Sequence, residues 1–522
     1  MLQDIACALA STLVTVWPDC LHTVESSTSR ALSASRQPTD PRGTDRPDTL
    51  TRVPPVDDNP ALVLVWRRIS DHAEKTAMTY GHGSDRPKSG IRVAAPSEKL
   101  KADDVASNFA DLDPAMTQAE AWAESGRCLF CYDAPCTTAC PTHIDVPGFI
   151  KKIQNDNLRG SARVILDANP MGHSCARACP VEVLCEGSCV MHGQGSKPIQ
   201  IARLQRHATD ALLDHGFVLF TPPASTGKKV AVLGGGPAGL SCAQELRRYG
   251  HDVVVFEARP KPGGLNTYGI AQYKLTPQTA LAEADTIIKL GVTLKTNTVI
   301  GKDISFDAVV NDYDAVFLGF GLGGTNRLGI KGEDSAGVVD ALTFIEHLKE
   351  KPYGQFNIPD RVLVIGAGNT AVDAATQARR LGAREVTFVY RRGPEDVSAY
   401  AYEMELARND GCTFRFWSTP LEVTGDGVVT GLTVKDEGGR ETHLPAGLII
   451  KAIGQEKRSE ALKAFGLDVD DKGRLIVDAD RRTSRAKVWA GGDCVNGGKE
   501  IVNAAADGVH AAKSMHRMFS AS

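Results

Sequence analysis

Eight cysteines fall in two arrays whose spacing suits metal ligation. Cys128, Cys131, Cys136 and Cys140 are separated by two, four and three residues and followed by Pro141. Cys175, Cys179, Cys185 and Cys189 follow at intervals of three, five and three, with Pro180 after Cys179. Iron prefers thiolate sulfur, and a cubane needs ligands converging from several directions; a tight Cys-x2-Cys turn supplies two, and proline then turns the chain away. In two-cluster arrays the fourth cysteine of a close run often serves the other cluster. The spacing therefore predicts one cluster on Cys128, Cys131, Cys136 and Cys189, and a second on Cys140, Cys179 and Cys185. Two candidates remain for the missing ligand, Cys175 and a later polar side chain. Structural zinc is disfavoured because only one Cys-x2-Cys pair is present. With eight thiols at hand, His143, His173 and His192 are expected as helix-cap or surface residues.

A second chemistry begins at residue 228. A short apolar run opens into Gly234-x-Gly236-x-x-Gly239, and the next strand ends in Glu257, 23 residues past the first glycine. That spacing lets a carboxylate accept from an adenosine ribose while a helix N-terminus faces a pyrophosphate. Gly264 and Leu265, just downstream, offer close backbone approach to the same cofactor. Near the C-terminus Gly492 and Asp493 follow another short strand; Asp493 is placed to accept from a ribityl hydroxyl, with a helix over residues 501–515 directed at a flavin. Between these halves, a strand over 361–365 leads into Gly366, Gly368, Asn369 and Thr370, with Ala371 at the third position of the motif. The following strand ends in Tyr390, Arg391 and Arg392 where an NAD-selective site usually has an acid, so charge alone favours NADPH; the arginines can instead stack on adenine or face solvent, and the expected cofactor is NAD(P). Lys274 can place a positive charge near a reduced flavin or lie on the surface.

These motifs require a chain able to hold them apart. The 522 residues, 42% hydrophobic, suffice for several cores. We expect an α/β protein: a helical N-terminal domain with two 4Fe-4S clusters, then two nested Rossmann-like dinucleotide-binding domains. The expected plan is a poorly ordered extension over 1–100, the cluster domain over 101–218, a first FAD-binding half over 219–323, an NAD(P)-binding domain over 324–452, and a second FAD-binding half over 453–522. Residues 21–60 are too polar to offset the entropy of ordering, and residues 59–75 have the periodicity of a short helix. Helices are also expected over 146–153 and 158–166. Net charge is -4, with intermixed signs and no long apolar run, which argues against nucleic-acid and membrane partners. Clustered rather than scattered cysteines point to a reducing, cytoplasmic setting. No Cys-x-x-Cys lies in the nucleotide-binding region, so electrons leaving a flavin are expected to go to the clusters rather than to a disulfide.

Through Cys128, Cys131 and Cys136 with Asp133-Ala134-Pro135, through Asn169-Pro170-Met171-Gly172, and through Pro198-Ile199-Gln200 running on to Gln205, the chain resembles the NAD(P)-binding subunit of dihydropyrimidine dehydrogenase over about four fifths of its length. It is more distantly similar to the glutamate synthase small subunit. The resemblance implies FAD at the Gly234 and Asp493 halves and NAD(P)H at the Gly366 unit. It also implies Gln205, not Cys175, as the last ligand of the second cluster. A separate FMN-containing subunit in a hetero-oligomer would then reduce uracil or thymine, and this chain needs no catalytic acid or base of its own. Ser398 stands where that family carries a further 2′-phosphate-binding arginine, which weakens the case for NADPH.

Overall fold

The computed structural model describes residues 100–521. The expected extension and the helix over 59–75 lie outside the described residues, apart from Leu100.

Two five-stranded sheets carry the nucleotide-binding motifs. The first has the order β13-β4-β1-β2-β3, built from β1 (Lys229–Leu233), β2 (Asp252–Phe256), β3 (Thr293–Lys295), β4 (Ala315–Leu318) and β13 (Val488–Ala490), all parallel. Four of five β1 residues are buried because helices cover both faces, so its sequence reads as an unbroken apolar run rather than an alternation. β13 comes from the C-terminus and pairs with β4, one strand away from β1, so the two ends of the nucleotide-binding region share one sheet.

The second sheet runs β5-β12-β6-β7-β8, comprising β5 (Val338–Asp340), β6 (Arg361–Ile365), β7 (Glu385–Val389), β8 (Thr413–Arg415) and β12 (Leu448–Lys451). A small antiparallel sheet, β9 (Thr419–Thr424), β10 (Gly431–Lys435) and β11 (Glu441–Pro445), packs Val423, Leu432 and Val434 with Leu363 and Ile449 of the second sheet.

From residue 100 to β1 the chain is mainly helical. Gln118–Gly126, Val146–Gln154, Leu158–Ala168 and Ile201–His215 surround Phe149, Ile150, Ile165 and Leu204, all fully buried. Local chemistry starts the first three: Thr117 and Glu120 form a capping box, Asp145 accepts from Gly148 N at 2.9 Å, and Asn157 accepts from Gly160 N at 2.8 Å. The cysteines lie in the short helices and turns between them. Among the described residues, no helix is long and apolar enough to cross a membrane.

Candidate cofactor sites

The thiols sort into two groups of neighbours. Burial raises the pKa of Cys128; a backbone hydrogen bond at Phe130 opposes this, and Cys131 and Cys189 add to it. Burial pushes the Cys136 thiol up to about 11, with Cys128 and Cys189 contributing. Cys179 is held well above its ordinary value by a hydrogen bond with Cys175 and by burial, with Cys185 and Cys140 nearby. Burial raises Cys185, and its neighbours include Cys140 and Cys136. One group is thus Cys128, Cys131, Cys136 and Cys189, the other Cys140, Cys175, Cys179 and Cys185, and Cys185 and Cys136 lie where the two approach. Clustered thiols lose their protons on binding iron, so two such groups are a soft donor set of the kind a 4Fe-4S cluster takes. Among the described residues, no three His, Cys, Asp or Glu side chains converge as on a single ion. The four ligands of a cubane each bind a different iron, so they converge on the cluster as a whole and not on one ion.

Gln205 lies buried on Ile201–His215 and donates from Nε2 to Gly172 O at 2.8 Å, at the start of helix Gly172–Ala178, which leads into Cys179. Its amide is therefore oriented by the same helix that carries Cys175.

On the flavin side, Glu257 is buried and accepts from Gly235 N at 2.7 Å and Arg259 N at 2.8 Å, tying the acid to the glycine turn. A Cβ at Gly239 would sit 1.9 Å from Gly234 O, and one at Gly264 would sit 2.9 Å from Gly236 Cα. The turn and the Gly264–Leu265 segment therefore close on each other with room for backbone only. Gly492 has φ +76° and donates to Asp507 Oδ2 at 2.9 Å; an added Cβ would lie 3.0 Å from the Ala238 Cβ at the start of helix Pro237–Arg248. The two halves thus meet at the helix N-terminus predicted to face a pyrophosphate. Asp493 accepts from Lys499 N at 3.3 Å, and burial raises its pKa.

On the nicotinamide side, a Cβ at Gly366 would lie 2.2 Å from Ala452 O, and one at Gly368 3.3 Å from Ser398 Oγ. Asn369 opens helix Asn369–Arg380 and accepts from Tyr400 N at 3.1 Å, while Thr370 is exposed. Arg391 and Arg392 are exposed beyond β7; Arg392 approaches Asp396 at 3.6 Å and lies over the Tyr390 ring. Ser398 thus lies at the Gly368 turn, while Arg391 and Arg392 stand on the segment just before it in sequence.

Residues 228–508 match the family described as pyridine nucleotide-disulphide oxidoreductase, and residues 105–217 match dihydropyrimidine dehydrogenase domain II, 4Fe-4S cluster. The chain belongs to the pyridine nucleotide-disulphide oxidoreductase family. The NAD-dependent dihydropyrimidine dehydrogenase subunit PreT of Escherichia coli K12 is 36% identical over 411 residues, 78% of this chain and 97% of that one. The glutamate synthase [NADPH] small chain of the same organism is 33% identical over 458 residues, 81% of this chain and 96% of that one. Lactococcus lactis thioredoxin reductase superposes with a TM-score of 0.48 at 26% identity, over 56% of this chain and 99% of that one.

Within this oxidoreductase family the chain is an NAD(P)H-dependent enzyme subunit with FAD/NAD(P)-binding and 4Fe-4S-type domains. Among the described residues, the cysteines outside the two arrays, Cys242, Cys412 and Cys494, are single, buried and free. Their thiols are held up by burial, well above the ordinary value for Cys242 and to about 12 for the other two. None forms the redox pair that disulfide chemistry requires.

Two expectations need correction. Lys274 is not a surface lysine. It is buried and bonded to Asp373 Oδ1 at 2.6 Å and Glu403 Oε1 at 2.5 Å, both on helices of the second sheet's unit. Burial alone would push its ammonium down, but the two carboxylates hold its pKa well above the usual range. His173 is neither a cap nor a surface residue: it is fully buried, neither ring nitrogen has a partner, and burial lowers its pKa to about 4.

The sequence reading also missed Glu283, which accepts from His173 N at 2.8 Å and Ser174 N at 3.2 Å. It missed Lys349, whose Nζ donates to Asn266 O, Ile270 O and Leu275 O at 3.2, 2.7 and 2.8 Å. Neither residue belongs to a motif, and their partners lie 74 to 110 positions away.

Proposed function

We propose that this chain is the NAD(P)H-oxidising iron–sulfur flavoprotein subunit of a two-subunit dihydropyrimidine dehydrogenase. The observation that carries the reading is the division of eight thiols into two neighbouring groups of four on a module joined to a paired dinucleotide fold. When bound, FAD would take a hydride from NAD(P)H and release electrons singly through two 4Fe-4S clusters to an FMN-containing partner that reduces uracil or thymine to the 5,6-dihydropyrimidine.

The residues present fit these groups. Cys128, Cys131, Cys136 and Cys189 would hold one cluster, and Cys140, Cys179, Cys185 and Gln205 the other, with Cys175 as a hydrogen-bonded neighbour of Cys179. Gly234, Gly236, Gly239, Gly264 and Leu265 line the backbone approach for FAD, Glu257 receives its ribose, and Gly492 with Asp493 meets its ribityl end. Gly366, Gly368, Asn369 and Thr370 orient NAD(P)H, and Arg391 and Arg392 offer positive charge to a 2′-phosphate. The cluster domain spans 101–218, and the FAD halves, 219–323 and 453–522, flank an NAD(P) domain over 324–452. No side chain here has to move a proton at carbon, because the pyrimidine is reduced on the partner. Leu129 and Tyr132 flank Cys131 and are exposed at 51% and 106%, supporting a partner face beside the first thiol group. A hetero-oligomer in the cytoplasm suits this use of reduced thiols.

The similarity to a glutamate synthase small chain favours a second reading, with the same electron path and a glutamate-forming large subunit as acceptor. Anaerobic reduction of the loaded chain by NADH or NADPH, followed by mixing with uracil with and without a candidate FMN subunit, separates the two. Dihydrouracil formed only with that subunit supports the first reading; flavin and cluster reduction without pyrimidine turnover moves the assignment to the second.

A further inference from the structure

Residues 398–400 form a strap over the nicotinamide turn. Ala399 N donates to Ala367 O at 3.0 Å and Tyr400 N to Asn369 Oδ1 at 3.1 Å, so the strap is fastened to the loop between β6 and helix Asn369–Arg380. From there the Tyr400 hydroxyl donates to Glu500 Oε1 at 2.7 Å. Glu500 is the N-cap residue of helix Ile501–Ser520, the element that follows Asp493 on the flavin side. The Tyr400 ring stacks on Tyr402, with centroids 5.8 Å and planes 7° apart. Its phenol is held protonated first by burial and by Glu500, and also by the nearby Cys179 sulfur. Tyr400 therefore fastens the NAD(P) turn through its backbone N–H and the flavin-side helix through its hydroxyl, with Cys179 of the second thiol group nearby.

Helix formation does not account for this residue. Tyr400 is the N-cap of helix Ala401–Asn409 and makes no side-chain cap bond, at a position where Ser, Thr, Asp or Asn would serve better. Space filling does not account for the hydroxyl either, because phenylalanine has the same ring. What only tyrosine supplies is the bond to a carboxylate, a charge-assisted bond roughly twice as strong as a neutral one.

Resting on the reading above, we infer that Tyr400 is a positioning residue for hydride transfer: its bond to Glu500 sets the nicotinamide turn against the flavin-side helix. Hydride transfer is sensitive to the separation and alignment of donor and acceptor, so a small relaxation of this contact slows the chemical step without removing any group that binds nucleotide.

The test is anaerobic stopped-flow reduction of the full-length, cofactor-loaded chain by NADH and by NADPH. It follows the limiting rate of flavin bleaching, the half-saturating nucleotide concentration and the long-wavelength charge-transfer absorbance of the nicotinamide–flavin pair. Tyr400→Phe is expected to lower the limiting rate about 10-fold, equivalent to ~1.4 kcal/mol, with unchanged half-saturation and a weaker charge-transfer band. Tyr402→Phe, which keeps the stack and leaves the Glu500 bond intact, is expected to behave as wild type. Glu500→Ala removes the same bond from its other side together with the N-cap bond to Asn503 N, so its loss should be at least that of Tyr400→Phe, and adding Tyr400→Phe to it should cost nothing further. A wild-type rate and band in Tyr400→Phe, an equal loss in Tyr402→Phe, or additive losses in the double variant would each overturn the inference. Wild-type enzyme that neither nucleotide reduces would instead overturn the NAD(P)H reading on which it rests.

Discussion

Glu283, on helix Pro277–Ile288 of the first sheet's unit, grips Ser174 in the cysteine module: its carboxylate accepts from Ser174 N at 3.2 Å and from the Ser174 hydroxyl. Burial raises its pKa to about 7 although Ser174, His173 and Arg177 all oppose the shift. A carboxyl raised in the folded state binds its proton more tightly there than in the unfolded chain. Its contribution is therefore fully present below the unfolded value of 4.5 and is lost as pH rises to about 7. The loss is on the order of 3 kcal/mol. Thermal melts of Glu283→Gln and wild type at pH 5 and pH 8 check this: the difference should move in favour of the variant at the higher pH. A pH-independent difference means that Glu283 does not titrate in this window.

Lys349 holds three carbonyls of the segment that follows Gly264 and Leu265, and burial lowers its pKa to about 7. Lys349→Met strands those buried acceptors at about 1–3 kcal/mol each, before any relaxation that lets water reach them. We expect a lower melting temperature together with weaker FAD retention on dilution, because the loosened segment lines the flavin cradle. Retained FAD with a lowered melting temperature would confine Lys349 to stability.

Lys274 neutralises two buried carboxylates, Asp373 and Glu403. Lys274→Met leaves both without their cation, a loss of about 3–5 kcal/mol by analogy with other broken buried pairs. Asp373→Asn combined with Lys274→Met should recover part of it, and urea titrations of the single and double variants measure the coupling.

A Cβ at Gly508 of helix Ile501–Ser520 would lie 2.1 Å from Ala238 O of helix Pro237–Arg248. Gly508→Ala must push the two flavin-side helices apart at a cost of about 1–3 kcal/mol. Purified Gly508→Ala is expected to carry less than one FAD per chain by absorbance, with iron content unchanged; a full complement of FAD would show that the crossing is free to adjust.

The last ligand of the proposed second cluster is open to a direct count. Gln205→Leu is expected to lower bound iron and to alter one of two cluster signals in electron paramagnetic resonance, while Cys175→Ser retains both. The reverse pattern would assign Cys175. For the nucleotide, Ser398→Arg places a guanidinium at the Gly368 turn; a new charge-assisted bond should shift kcat/KM toward NADPH over NADH by about 10-fold.

Cofactor chemistry was legible in the sequence because it is written in short-range spacing. Cys128 and Cys131 have two residues between them, a spacing at which one turn can present both sulfurs to a cluster, and Gly234, Gly236 and Gly239 recur at the spacing of a turn lying flat against a helix. β1 and β6 were readable as apolar runs followed by glycine for the same local reason. Pairings across long stretches of chain left no such trace. Nothing in the local sequence distinguishes Lys274 or His173 from a surface residue, and Glu283, Lys349 and Tyr400 stand in no motif. Their environments arise when β13 returns to pair with β4 and when the helices of the second sheet close on residues 266–275. Burial then decides what each group does: the same ammonium is held charged at Lys274, between two carboxylates, and driven toward neutrality at Lys349, among carbonyls. The amino-acid sequence determined which cofactors could bind; only the tertiary structure decided which side chains hold the parts in register, because desolvation and partner distance exist only after the chain has folded.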